Sequence, residues 1–347
     1  MIPEGLFDNC TKVTNFSNTF AYCSALTNIP EGLFDKCTKV TTFEGVFAHS
    51  GITSVPERLF DKCTEVTSFK STFYDCKNFQ TIPEELFDKC TEVTNFQETF
   101  DRSGIRSIPE GLFDNNTKVE DFQWTFRETD IKAIPEGLFD NCKVVTSFRQ
   151  TFYYCKSLAV IPAGLFDACT EVTTFDGVFN ETAISTIPEG LFDNNTKVKD
   201  FYEAFYECEK LQAIPKGLFD NCPEVTNFAG TFNNTGITEI PEGLFDNNAK
   251  VTIFNSTFLY CDITSIPVGL FDNCRKVKNF YSTFYNGIWL TGESPYTIIN
   301  IDGVDTKVHL YERELYPEYF TAPTNYSNCF YRCTGLTDYS SIPSGWK

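Results

Sequence analysis

Apolar positions along this chain fall into one short pattern that keeps returning. Aligned on the proline of an Ile-Pro or Val-Pro pair, at Pro3, Pro30, Pro56, Pro83, Pro109, Pro135, Pro162, Pro188, Pro215, Pro241 and Pro267, the units step by 26 or 27 residues. Their consensus is Leu-Thr-x-Ile-Pro-Glu-Gly-Leu-Phe-Asp-Asn-Cys-Thr-Lys-Val-Thr-x-Phe-x-x-Thr-Phe-x-x-Cys-x-x. A fixed period in this range marks stacked supersecondary units, each touching only its neighbours, and predicts a single elongated domain with a continuous core. Eleven near-identical units and a degenerate twelfth are expected.

The phenylalanines set the register. Three columns, starting at Phe7, Phe16 and Phe20, take 33 of the 36, while Phe79 falls in the leucine column and Phe320 and Phe330 in the last coil. Rings one coil apart are expected about 4.8 Å from each other, the spacing of neighbouring strands. They read as core filling, since burying each removes about 150 to 250 Å² from water. Val-Thr-x-Phe and Leu-Thr-x-Ile suit strands of three or four residues, the following proline stops the second ladder, and the glycine after it allows a tight corner. One or two narrow parallel sheets are expected, with turns and short 3₁₀ or helical segments between.

Leu26-Thr27-Asn28-Ile29-Pro30-Glu31-Gly32-Leu33-Phe34-Asp35 resembles the Ile-Pro-x-x-x-Phe stretch of extracellular leucine-rich repeats. Phe20-x-x-Cys23-x-x-Leu26-x-x-Ile29-Pro30 is similar to the BspA-type surface repeats of anaerobic bacteria, and this bacterial likeness is the closer. It covers residues 1–286 and again 315–347. The resemblance implies a right-handed leucine-rich-repeat solenoid and a secreted or cell-surface protein that binds other proteins, glycans or cells. That superfamily is a scaffold for many ligands, so the ligand itself is not implied. The longer period and the phenylalanines in place of leucines set this chain apart from the bacterial consensus.

A formal charge of -19 argues against nucleic acid as a partner. No stretch approaches the roughly 18 apolar residues of a membrane span, so no membrane insertion is expected. The start, Met1-Ile2-Pro3-Glu4, lacks a secretion signal and falls within a repeat. A native signal or anchor is therefore expected to be missing from this chain.

Few columns offer chemistry. An aspartate follows the first phenylalanine column from Asp8 to Asp272. Its carboxylate is expected to accept backbone N–H groups at the corner, with a line of calcium sites as the alternative, for which one column supplies too few oxygens. Eight of the cysteines occupy one corner column and five another. Because Asn116, Asn195 and Asn248 replace cysteine in the first, free buried thiols are expected there, with cross-coil disulfides left open. Cys329 and Cys333 lack the further ligands of a zinc site. His49 and His309 lie far apart in the array, and no nucleophile elbow or phosphate loop is present. No enzyme, metal or cofactor is expected.

The coils differ mainly at the x positions around Phe-x-x-Thr-Phe-x-x, which would stack into a stripe. Trp124, Arg127, Arg149, Tyr153, Tyr154, Tyr202 and Tyr206 accumulate there, and Trp, Tyr and Arg are the side chains that anchor interfaces. The stripe is expected to bind a protein or glycan, the protein being a monomer; an ordinary solvated surface, as a passive spacer would have, is the competing reading. The solenoid is expected over 1–286, a β-hairpin insertion over 287–314, and a degenerate coil or cap over 315–347. In the insertion, Thr297–Ile301 and Lys307–Tyr311 flank a turn at Asp302–Asp305. It reads as a cap, or as a binding loop.

Overall fold

The computed structural model describes residues 2–347, which form two compact units, one reaching to Val172 and the other running from Thr173 to Lys347. Each is a stack of coils with the period expected.

In the first unit, neighbouring coils pair in parallel through a column of single bridges at Asn15, Thr42, Ser68, Asn95, Asp121 and Ser147, with a second bridge from Asn28 to Ser54. The expected three- or four-residue strands are thus cut to single bridges. The cause lies just beyond the bridge, where Asn18 (φ 56°) and Tyr22 (φ 59°) are left-handed, a conformation no strand runs through. Pairing nevertheless continues. The amides of Phe16, Asn18, Phe20 and Tyr22 donate to the carbonyls of Thr42, Glu44, Val46 and Ala48 in the next coil, at 3.1, 2.9, 2.8 and 2.7 Å. Those of Thr19, Ala21 and Cys23 close turns onto Phe16, Asn18 and Phe20, at 3.1, 3.1 and 3.3 Å. Alternate donors therefore serve the neighbour and the local turn, which leaves this backbone satisfied. A left-handed residue other than glycine costs about 1 kcal/mol or more, and this network offsets it.

Phenylalanines fill the interior. Phe34 stacks on Phe7 at 5.9 Å and on Phe60 at 6.1 Å, with Phe43 tilted against it at 4.7 Å. Rings of one column stand further apart than the expected strand spacing because parallel π faces slide into offset stacks. The consensus threonine is buried with them: Thr72 Oγ1 lies 2.7 Å from the carbonyl of Phe69 and 3.2 Å from that of Phe43, one coil back.

The corner cysteines carry free thiols, buried at all but Cys10 and Cys23. Cys63 donates to the carbonyls of Phe34 and Cys37, at 3.7 and 3.6 Å, and burial pushes its thiol up to about 12. Asn116 does the same work as a cysteine, its Nδ2 donating to Phe87 and Cys90 at 3.3 and 2.9 Å. The aspartate column departs from expectation. At the corner Asp35 is bonded through its own amide, which donates to Gly32 at 3.0 Å, and its carboxylate rests against that glycine. A Cβ on Gly32, whose φ is 66°, would stand 3.1 Å from Asp35 Oδ2.

The second unit repeats this build, with bridges through Thr174, Asp200, Asn227, Ile253, Asn279 and Asn325. The step from Asn279 to Asn325 passes over an insertion. Within it, strands β1 (Tyr296–Ile301) and β2 (Val304–His309) form an antiparallel hairpin. Its turn is the pair Asp302 (φ 50°) and Gly303 (φ 88°), shorter than the four residues expected, because a two-residue turn with both φ positive matches the twist of the strands. Ile299 and Val308 pack on Phe320.

A 3₁₀ segment, Leu310–Leu315, follows β2 and buries Arg313 at 2% exposure. The Arg313 guanidinium donates to the carbonyls of Cys274 and Phe271, at 2.9 and 2.8 Å, and lies over Phe320 at 4.6 Å. The twelfth coil then resumes the stack, with Phe330 on Phe284 at 5.8 Å. Trp346 covers it, 4.5 Å from Tyr326, and its carbonyl accepts from the Phe330 amide at 2.8 Å.

Candidate interaction face

The variable positions of each coil surround the two left-handed residues. Trp124 (φ 60°) and Tyr154 (φ 59°) are themselves left-handed, which lifts their side chains from the turn where a continuous strand would lay them alternately on either face. Of the residues expected to form a site, the first unit holds Trp124, Arg127, Arg149, Tyr153 and Tyr154.

It places them in two sets of contacts. The Arg149 guanidinium lies over Trp124 at 5.8 Å, and Trp124 Nε1 donates to Gln150 Oε1 at 2.9 Å. Arg127 lies over Tyr153 at 5.7 Å, and Tyr153 lies 6.2 Å from Tyr154. Lys156 sits 3.9 Å above the Tyr154 ring, which is 39% exposed.

Several partners in this chain were not picked out from the sequence. Glu128 takes both Arg127, at 2.8 and 3.2 Å, and Arg102, at 3.0 and 3.1 Å. Burial works to raise the Glu128 carboxyl, but the two arginines hold it below its ordinary value. Arg102 reaches Tyr74 at 3.5 Å, and His49 stacks on Tyr22 at 4.4 Å. Asp101 lies beneath them, 2% exposed, with Oδ1 lacking a hydrogen-bond partner and burial pushing its carboxyl up to about 7. The left-handed columns did leave a trace in the sequence: glycine stands at Gly45, Gly177 and Gly230, in the column of Trp124.

Tyr202 and Tyr206 belong to the second unit. Tyr202 donates its hydroxyl to Glu203, which with burial raises it well above its usual range, and its amide is held by Asp200 Oδ1 at 2.9 Å. Burial first, and then a bond to Glu207, pushes Tyr206 up to about 12. These tyrosines present rings with their hydroxyls already engaged.

Other surfaces offer less. Shallow hollows between glycine-aspartate corners, such as that lined by Glu110, Asp114, Glu136 and Asp140, are acidic and open. Among the described residues no three His, Cys, Asp or Glu gather to hold a metal ion, and no helix is long and apolar enough to cross a membrane. His49 is bound to Asp75 at 2.9 Å, and His309 to Glu293 and Glu312 at 2.9 and 3.1 Å.

The profile of the family described as the BspA type leucine rich repeat region matches in six copies, over residues 1–146, 106–252 and 160–288. Among solved structures the TLR13–ssRNA13 complex is similar, with 14% identity and a TM-score of 0.51 over 79% of this chain and 43% of that one. The leucine-rich-repeat ectodomain of the plant receptor kinase GASSHO1 from Arabidopsis thaliana matches at 12% identity and a TM-score of 0.47, over 78% and 35%. The functional domain of InlJ from Listeria monocytogenes matches at 13% and 0.40, over 88% and 62%. The chain spans less than half the length of the first two. No curated protein matches it. At such identities the likeness shows the fold, a leucine-rich-repeat solenoid.

Proposed function

Since this chain belongs to the BspA-type leucine-rich repeat family, whose fold generally serves as a non-catalytic binding scaffold, we propose that it is a secreted or cell-surface, adhesin-like protein that acts as a monomer and recognises a protein or glycan through the variable face. Trp124, Arg127, Arg149, Tyr153 and Tyr154 form the site in the first unit, and Tyr202 and Tyr206 offer a second aromatic face in the other. The observation that carries this reading is the run of contacts from Trp124 through Arg149 and from Arg127 through Tyr153 to Tyr154, in which cations and aromatic rings are held at the surface. Trp, Tyr and Arg held in place lose little freedom on binding and dominate interface energies. The net charge of -19 favours ligands that are not polyanions.

Screening the protein against arrays of glycans and of extracellular proteins tests this. A ligand should emerge whose affinity falls by about 2 kcal/mol when Trp124 or Tyr202 is replaced by alanine, with the fold intact by circular dichroism. A ligand bound equally well by both variants would remove the face from the function.

A further inference from the structure

The strongest feature that binding alone does not use is the buried acid under the first unit's face. In the column that holds Asp101, the neighbouring coils carry Tyr74 and Arg127, and the second unit carries Asn180 and Asn233, both buried. Asparagine is the neutral isostere of a protonated aspartate, so this place in a coil accepts an uncharged group of that shape. What a carboxyl adds there is a proton that can leave.

The groups facing it are few. From its own coil come Glu98, which accepts from the Ser71 hydroxyl at 2.8 Å, and Arg102, committed to Glu128. The following coil contributes Arg127 and Glu128, the preceding one Tyr74 and Asp75, the latter bound by His49 and Lys77 at 2.9 Å each. The Cys155 thiol lies close enough to feel the charge. The nearest cation is Arg127, whose Nε stands 3.9 Å from Asp101 Oδ1, too far for a hydrogen bond, while its guanidinium is bonded to Glu128. This arrangement suits a neutral Asp101. Ionised, the acid would be a buried charge without a hydrogen bond, and a shift of about 1 Å would bring Arg127 to the distance of a charge-assisted bond. Glu128 would keep Arg102.

We propose that Asp101 is a proton-controlled latch on Arg127, giving the binding face two states: at mildly acid pH Arg127 stands outward on Glu128 and over Tyr153, and at mildly alkaline pH it is drawn inward to Asp101. An acidic group on a ligand meets an outward guanidinium only in the first state, so such a ligand binds more tightly as the pH falls through neutrality. The consequence for ligands rests on the function proposed above; the movement of Arg127 does not.

The free protein, isotope-labelled on arginine and aspartate, provides the test by NMR from about pH 5 to about pH 9. The Arg127 Nε–H resonance should move with one midpoint near neutrality, and the movement should vanish in Asp101→Asn. A resonance that stays still, or that moves alike in the variant, would overturn the latch. A second arm does not depend on that variant folding: in Arg127→Gln the Asp101 carboxyl should titrate at higher pH than in the parent, because a facing cation has gone, and an unchanged midpoint would equally overturn it. Failure to find any ligand would leave these results standing and remove only the binding function.

Discussion

The corners inside the stack and the closure beyond Phe271 meet the same demand with different chemistry. Inside, the corner of a coil turns two carbonyls toward the next coil, which adds to their local amide bonds a thiol, as Cys63 does at Phe34 and Cys37, or an amide, as Asn116 does at Phe87 and Cys90. Beyond Phe271 the next segment is no coil at all, yet Arg313 places two guanidinium N–H groups on the carbonyls of Phe271 and Cys274. The position is therefore defined by two acceptors a fixed distance apart, and side-chain identity is secondary. The difference lies in charge: an amide or thiol enters the interior without penalty for ionisation, whereas burial pulls Arg313 down to about 10 and it leans on the face of Phe320.

That contrast can be broken most forcefully at Arg313. Arg313→Ala takes the guanidinium donors from the carbonyls of Cys274 and Phe271, of which Phe271 keeps the Cys274 amide at 3.1 Å, and empties the space against Phe320. It should lower stability by about 3 kcal/mol, read by denaturant unfolding, and a loss below about 1 kcal/mol would mean that the two corners are not equivalent. Asn116→Ala should follow at about 2 kcal/mol, while Asn116→Cys, which swaps one donor of the column for another, should change stability by less than about 1 kcal/mol. Asp101→Asn sharpens the charge side of the comparison. The folded protein holds the Asp101 proton up to about pH 7, well above the unfolded value, so ionisation weakens the fold as pH rises through that range. The variant should accordingly gain about 1 to 2 kcal/mol over its parent above neutrality and little near the acid end. Ser256→Gly comes last. Its φ of 55° is already served by glycine in three other coils, and the exchange should raise stability by no more than about 1 kcal/mol.

The period, the three ring columns and the free corner thiols were legible because they repeat, and repetition turns one side chain's preference into a column. Arg313 was not legible, since it occurs once and its partners are backbone carbonyls about forty residues away, a pairing that only the coil geometry defines. Turn chemistry suggests a side-chain cap for the aspartate column, yet Asp35 closes its corner through its amide. The strands are shorter than Val-Thr-x-Phe suggests because the variable positions that follow are not free. Two in every coil are held left-handed, and Gly45, Gly177 and Gly230 were the residues that said so. For the interaction face, the accumulation of Trp, Tyr and Arg was visible, but the bond from Trp124 to Gln150 and the sharing of Glu128 depend on rotamers across coils.

The alternation of amides described for Phe16 to Tyr22 gives every coil a giving side and a taking side, like the stud and socket of a building brick. A coil so built is the complement of itself. Copying one whole repeat within the gene, or losing one, would rejoin socket to stud with no bond left open, whereas a frame shift of a few residues would misalign them all. Genetic change in this protein should therefore come in two distinct sizes: whole bricks, altering its reach, and single exposed side chains, altering what it holds.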